Sequence, residues 1–260
     1  MIGAVIGDII GSRFEFNNHR SEDFILFTEK SKVTDDTILT IATADCLLHN
    51  KEYANTYQVY AQKYPNGNYG GMFSNWIYAS NPKPYGSFGN GSGMRVSPVG
   101  WFFSNLEDTM KEAEKSAAVT HNHPEGVKGA QSIAMAIFLA RNGSSKKEIK
   151  SAIESKFNYA LDFQLDILRN TNKFDETCGV TVPQSIYCFL ISNSFEDAIR
   201  KAISIGGDSD TIACMTGGIA EAFYKEISED ILANAQKVIP LEFWDIWEEF
   251  RVLFINKKNI

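Results

Sequence analysis

Apolar side chains in this chain recur at steps of three and four residues almost from end to end, and that period restricts the fold to packed helices. From Thr37 to Leu48 one face is marked by Ile38, Leu39, Ile41, Ala42, Leu47 and Leu48. Tyr53, Tyr57, Tyr60 and Tyr64 continue the spacing and stop at Pro65, a stripe that reads as core packing rather than an aromatic ligand box. A helix is predicted from Pro124 through Ile133 and Leu139 to Gly143, with proline at its start and glycine beyond its end. Ser145 and Glu148 have capping-box spacing, and Ser194 and Asp197 suggest a similar start. The last long helix follows Pro240 and carries Phe243, Trp244, Trp247 and Phe250. Only Phe24 to Phe27 has a strand-like composition, and four residues cannot make a sheet. The expected fold is all-α.

No Ser- or Pro-rich linker or run of like charge divides the 260 residues, so one compact multi-helix domain over 1–260 is expected. Gly3, Gly7 and Gly11 fall on one helical face, where they allow close approach by a neighbouring helix. The G-x-G-x-x-G spacing of a dinucleotide site is absent from this stretch. Ala213, Gly217, Gly218 and Ala220 form a second small-residue stretch, and the two helices are expected to touch. Of the twenty residues from Asn81 to Gly100, five are Gly, three Pro and two Asn, which predicts a long irregular loop. With Tyr85, Phe88 and Met94 inside it, that loop reads as an ordered binding loop.

The 25 Lys and Arg against 32 Asp and Glu leave a net charge of -7, which excludes general affinity for nucleic acid or an anionic membrane. Cys46, Cys178, Cys188 and Cys214 sit singly, without C-x-x-C spacing, as core residues of a reduced compartment. The apolar start MIGAVIGDIIGS has no basic flank and is interrupted by Asp8, and no run approaches a spanning helix. A cytoplasmic protein is expected.

Two short clusters carry the chemistry: Thr34-Asp35-Asp36-Thr37 and Asp208-Ser209-Asp210-Thr211, each placed just before a helix. One alone would read as helix capping. Together they offer hard oxygen ligands of the kind that hold Mg2+ or a similar ion. Such a group of acids repels itself unless a cation lies between them, and Glu15 is placed to add another carboxylate. Asp8 reads either as a buried hydrogen-bonded group or as a partner behind the ligands.

The segments Gly7-Asp8-Ile9-Ile10-Gly11-Ser12-Arg13-Phe14-Glu15, Thr34-Asp35-Asp36-Thr37 and Gly206-Gly207-Asp208-Ser209-Asp210-Thr211-Ile212-Ala213 resemble the three signatures of the ADP-ribosylglycohydrolase family. Gly86 to Arg95 and Thr120-His121-Asn122-His123-Pro124-Glu125 resemble its ligand loop and His-bearing turn, in the family's order. The resemblance implies an all-α fold with a dinuclear Mg2+ site, sometimes occupied by Mn2+, at the bottom of a cleft for ADP-ribose. By position, it makes Thr34, Asp35, Asp36, Asp208, Asp210 and Thr211 the metal ligands. Glu15 matches the family's mobile glutamate beside the reacting sugar. Gly86, Ser87, Phe88 and Asn90 would contact the diphosphate and adenosine side, Phe88 stacking on the base, while Tyr69, Gly70 and His121 would line the cleft. Glycines at 86, 89, 91 and 93 would also let backbone N–H groups approach phosphate oxygens. His123 reads equally as a helix cap, and His19 and His49 as surface residues.

The expected activity is metal-dependent hydrolysis of the glycosidic bond between ADP-ribose and an acceptor on a protein or small molecule, releasing ADP-ribose. Asp35, Asp36 or Glu15 would act as general base. Two rivals stand beside it: a binding module without turnover, to which Ile38 gives room because many relatives carry a polar residue there, and a metal-dependent phosphohydrolase. No G-x-S-x-G elbow supports a serine nucleophile.

Overall fold

The computed structural model describes residues 1–257. Among the described residues the regular structure is helical, from Ile2–Gly11 through Asp35–His49, Tyr53–Lys63, Leu106–Ala118, Pro124–Arg141, Lys146–Phe157, Cys178–Leu190, Phe195–Ser204 and Ser209–Tyr224 to Leu241–Lys257, with short helices between. The one β-feature among them is an isolated bridge between Gly89 and Thr177. Phe24 to Phe27 is not a strand: Phe24, Leu26 and Phe27 lean on the core and Ile25 is exposed.

Helix Ile2–Gly11 runs against Ser209–Tyr224 at the centre of the molecule, ringed by Pro124–Arg141, Cys178–Leu190, Phe195–Ser204 and Asp35–His49. The predicted small-residue contact is what brings the central pair together. A Cβ on Gly7 would run into the Ala213 backbone, one on Gly3 into the Gly217 carbonyl, and one on Gly11 would stand 2.5 Å from Asp210 Cα. Each glycine costs about 1 kcal/mol of helix propensity, and the apolar residues between them, Val5, Ile6, Ile9 and Ile10, are fully buried around the contact. The close approach sets Asp8 and Gly11 beside the start of Ser209–Tyr224, where the second acidic cluster lies.

The capping boundaries follow the sequence closely. Ser145 and Glu148 form the reciprocal capping box, and Ser194 accepts from Asp197 N. Pro124–Arg141 ends at Asn142, with Gly143 just beyond at φ 89°. The span from Asn81 to Gly100 is less irregular than expected, because Gly91–Met94 and Ser97–Phe102 are short helices. Met94, Val96 and Val99 are buried there, and Pro98 occupies the first turn of the second, so tertiary burial overrides the glycine content. Leu106–Ala118, capped by Asn105, is a further helix, with Ala113 and Ala117 buried on one face.

One apolar cluster extends from Met1 to Phe250, and a second, with Leu39, Tyr57, Phe73, Trp76 and Met94, lies on the other side of Asp35–His49. All four cysteines are buried and unpaired. His49 is exposed at the surface, beside Asp45 and Glu249, whereas His19 is partly buried and packs its ring against Phe14 and Phe24. No helix among the described residues is long and apolar enough to cross a membrane.

Candidate active site

Thr34 caps Asp35–His49 by accepting from Asp36 N at 3.3 Å. Asp8 holds this cap from the neighbouring helix. Its Oδ1 accepts from the Thr34 hydroxyl at 2.7 Å, and its Oδ2 accepts from Thr34 N at 3.0 Å, Thr37 N at 3.1 Å and the Thr37 hydroxyl. The carboxylate at 8 is therefore a buried anchor for the first cluster, lying against the positive end of that helix. The second cluster follows a turn in which Gly206 and Gly207 take φ of 65° and 82°, a left-handed conformation that favours glycine. Asn18 clamps this turn, donating to Gly207 O at 2.8 Å and accepting from Gly207 N at 2.9 Å.

The two clusters meet. Thr211 Oγ1 donates to Asp36 Oδ2 at 3.2 Å. Asp8, Asp36 and Asp210 each bring an oxygen within 4.8 Å of the others, and Glu15, Asp208 and Asp210 do the same. Burial raises the carboxyls of Asp35, Asp36 and Asp210 well above the usual range, and the mutual charges of Asp8, Asp35, Asp36, Asp208 and Glu15 add to it. Asp208 is raised mainly by burial, against the hydrogen bonds that Asp210 and Asn90 give it. Glu15, half-buried, is pushed up to about 7 by burial and by the Asp208 charge, with the Asn68 amide at 3.3 Å opposing.

Asp36 Oδ1 is buried with no hydrogen-bond partner. An orphaned carboxylate oxygen inside a ring of other oxygens is costly, and a hard divalent cation relieves both the missing bond and the repulsion. The donors present, carboxylate and hydroxyl oxygens without imidazole or thiolate, fit such an ion. The buried clusters can hold metal.

These acids close one end of a cavity of about 490 Å³. Glu15, Asp35, Asp36, Asp208, Asp210 and Thr211 line that end, and Gly70, Ser87, Phe88, Asn90 and His121 are among the residues that line the rest. Three predicted residues stand outside the lining. Thr34 is buried, its hydroxyl given to Asp8 Oδ1. Tyr69 turns its hydroxyl to Tyr64 O at 2.9 Å and packs its ring on Phe73, so its role is to hold the wall. Gly86 supports the loop, its N–H given to Asn122 Oδ1 at 2.8 Å.

The glycine loop also departs from expectation in its amides. Gly89 N donates to Ser87 Oγ at 3.2 Å and Gly93 N to Asn90 O at 2.8 Å, so with Gly86 three of the four glycine N–H groups are spent inside the protein. Asn90 does not project freely either: its amide donates to Asp208 Oδ2 at 2.6 Å and ties the loop to the acidic cluster. Phe88 is about half exposed at the mouth, its ring 5.4 Å from that of His123. His123 caps Pro124–Arg141 by accepting from Glu125 N at 3.1 Å. Asn18 and Asn68 carried no signal in the sequence, since their partners Gly207 and Glu15 lie far along the chain; Arg95 ends the segment that resembles the ligand loop, but nothing in the sequence placed it beneath that loop.

A sequence model of the ADP-ribosylglycohydrolase family matches residues 1–254. The chain belongs to that family. Among its curated relatives, human ADP-ribosylhydrolase ARH3 is 28% identical, with 86% of this chain and 84% of the relative covered. ADP-ribosylarginine hydrolase Tri1 of Pseudomonas putida (strain GB-1) is 25% identical over 86% of this chain and 69% of its own. A solved chain described as an ADP-ribosylglycohydrolase-related protein complex shares the fold, with a TM-score of 0.71 at 20% identity over 96% of this chain and 93% of that one. As an ADP-ribosylglycohydrolase, the protein is an enzyme that hydrolyses the bond joining ADP-ribose to an acceptor.

Proposed function

We propose that this enzyme binds two divalent ions, Mg2+ with Mn2+ as a substitute, through Thr34, Asp35, Asp36, Asp208, Asp210 and Thr211, and cleaves ADP-ribose from a side chain of a protein or from a small molecule. The observation that carries the reading is the convergence of both acidic clusters, with an orphaned Asp36 oxygen, at one end of a cavity large enough for a nucleotide sugar. When bound, the ions supply a fixed positive charge that orients ribose hydroxyls and makes a nearby water more acidic.

The chain's own residues do the rest. Asp8 holds Thr34 and Thr37 so that the carboxylates behind the cap cannot swing away, and Asn90 fixes Asp208 from the opposite wall. Glu15, with a carboxyl near neutrality, takes a proton from the water that attacks the anomeric carbon. The carbon–acceptor bond breaks with its electrons going to the acceptor atom, and the same proton passes from Glu15 to that atom. Asp35 and Asp36 are alternative bases, though each would have to leave a ligand role to act. Ser87, Phe88 and His121 bind the adenosine diphosphate part, with Phe88 at the mouth able to lie on the base. Residues 1–260 act as one domain, a reading favoured by the larger apolar cluster, which extends from Met1 to Phe250; residues 258–260 lie outside the described ones. Four unpaired buried cysteines suit a reducing cytoplasm.

The deciding experiment incubates arginine-, serine- and nucleobase-linked ADP-ribose with the protein and Mg2+, with and without chelator, following free ADP-ribose. Chelator-sensitive release from one linkage is expected. Release of phosphate instead, or binding without turnover of any linkage, removes the reading.

A further inference from the structure

With three of the four loop glycine N–H groups spent on internal hydrogen bonds, the cavity of a net acidic protein has use for a further donor to a diphosphate, and a chain of buried polar groups that sets one lies beneath the loop. Arg95 is fully buried, is the sole Lys or Arg among the cavity-lining residues, and has no carboxylate within ion-pair distance among the described residues. Its guanidinium stacks 4.5 Å from the Tyr57 ring centroid, and Nη2 donates to Ser116 O at 3.0 Å and to Thr120 Oγ1 at 2.8 Å. Nε and Nη1 are buried without a partner. Thr120 Oγ1 is in turn 2.7 Å from His121 Nδ1.

The direction of this chain follows from chemistry. Arginine only donates, so the Thr120 oxygen accepts from it. If His121 Nδ1 also donated, the buried hydroxyl would be left with its own proton unplaced. The satisfied arrangement has Thr120 donating to Nδ1, which leaves the ring proton on Nε2. Nε2 lies under the loop: a Cβ on Gly91 would stand 3.1 Å from it and one on Gly89 3.6 Å. Burial, and then the Arg95 charge, keep the ring uncharged by lowering its pKa well below the usual value.

We propose that Arg95 and Thr120 are positioning residues that set His121 as an Nε2–H donor to the diphosphate of the ligand. The inference rests on the ADP-ribose reading above and adds two residues to it. Arg95 touches no ligand atom in this scheme; it acts through Thr120, and its charge behind the histidine offsets the repulsion between an acidic protein and a diphosphate.

The test uses the full chain with Mg2+. The protein has four histidines, so side-chain 15N NMR resolves His121 by difference against His121→Asn. The wild type should show Nε2–H, neutral across the working pH range. Thr120→Val should move the ring toward Nδ1–H and weaken ADP-ribose binding about tenfold, with adenosine binding unchanged, while Thr120→Ser restores both. An Nδ1–H or charged His121 in the wild type overturns the inference, as does equal binding of ADP-ribose by the Val and Ser variants. Should Thr120→Val not fold, the wild-type tautomer decides by itself. A wild type that binds no ADP-ribose overturns the functional reading, and with it the diphosphate as acceptor; one that binds ADP-ribose with an Nδ1–H ring overturns only the present inference.

Discussion

The hydroxyl of Thr211 donates to Asp36 Oδ2 across 3.2 Å, joining segments 175 residues apart. That bond lies at the seam between the first turns of two helices, and the acids on both sides of it are the ones the reaction needs. Removing charge on either side should therefore have the same effect. Asp36→Asn and Asp210→Asn are each expected to lower turnover by roughly 10²–10³-fold, the scale for losing a preorganised electrostatic group. Metal affinity, read by calorimetry, should fall with it, and far-ultraviolet circular dichroism should stay helical. Near-normal turnover in both variants would show that the acids do not hold the reactive ions.

Glu15 stands half-buried beside Asp208 with a carboxyl pushed up to about 7. As the base in the reaction it must be ionised, so kcat/KM should rise with pH and then level off, and ions bound beside Asp208, by offsetting its charge, should place that limb below the metal-free value of about 7. Glu15→Gln should abolish that rising limb and cut kcat by about 10²–10⁴-fold, while ADP-ribose and metal still bind. A pH profile of the same shape in the variant would pass the role to another group.

The raised carboxyls also predict an unusual stability profile. In the metal-free protein the folded state takes up protons at higher pH than the unfolded chain, whose carboxyls titrate near 4. Folded-state binding of extra protons means that stability falls as pH rises, and is regained on acidification through the raised values of Asp35, Asp36, Asp210 and Glu15. With chelator present, Tm should be higher at pH 5.5 than at 7.5. With Mg2+ present the order should reverse, because protons then compete with the ions. A chelated protein that loses stability on mild acidification would contradict the burial of the cluster.

Gly7 touches the backbone of Ala213 with no room for a side chain. Gly7→Val should separate the two central helices and cost about 3 kcal/mol or more, as overpacking against backbone does, measured by denaturant unfolding. Because Asp8 follows it, metal affinity of the folded fraction should drop as well. Unchanged stability would mean that the helix pair is not the element that holds the clusters together.

Much of this protein is local in origin. Helix starts at Ser145 and Ser194 and the first acidic turn at Thr34 can be read from neighbouring residues, since a cap needs a side chain only two or three positions from the amide it serves. The Gly3, Gly7 and Gly11 stripe announced a close helix contact for the same reason of fixed helical spacing. The long loop was over-extended from its glycines because the burial of Met94, Val96 and Val99, which makes the segment helical, is supplied by other helices.

By itself, then, the sequence determined an all-helical chain with two acid-rich helix starts, because period and capping act within a turn of helix. Only the packing decided that those starts face each other, that Asp8 anchors one and Asn90 the other, and that Arg95 lies buried behind His121. Hydrogen bonds and charge coupling between residues dozens of positions apart leave no spacing to read; they exist only once the Gly7–Ala213 contact has drawn the central helices together.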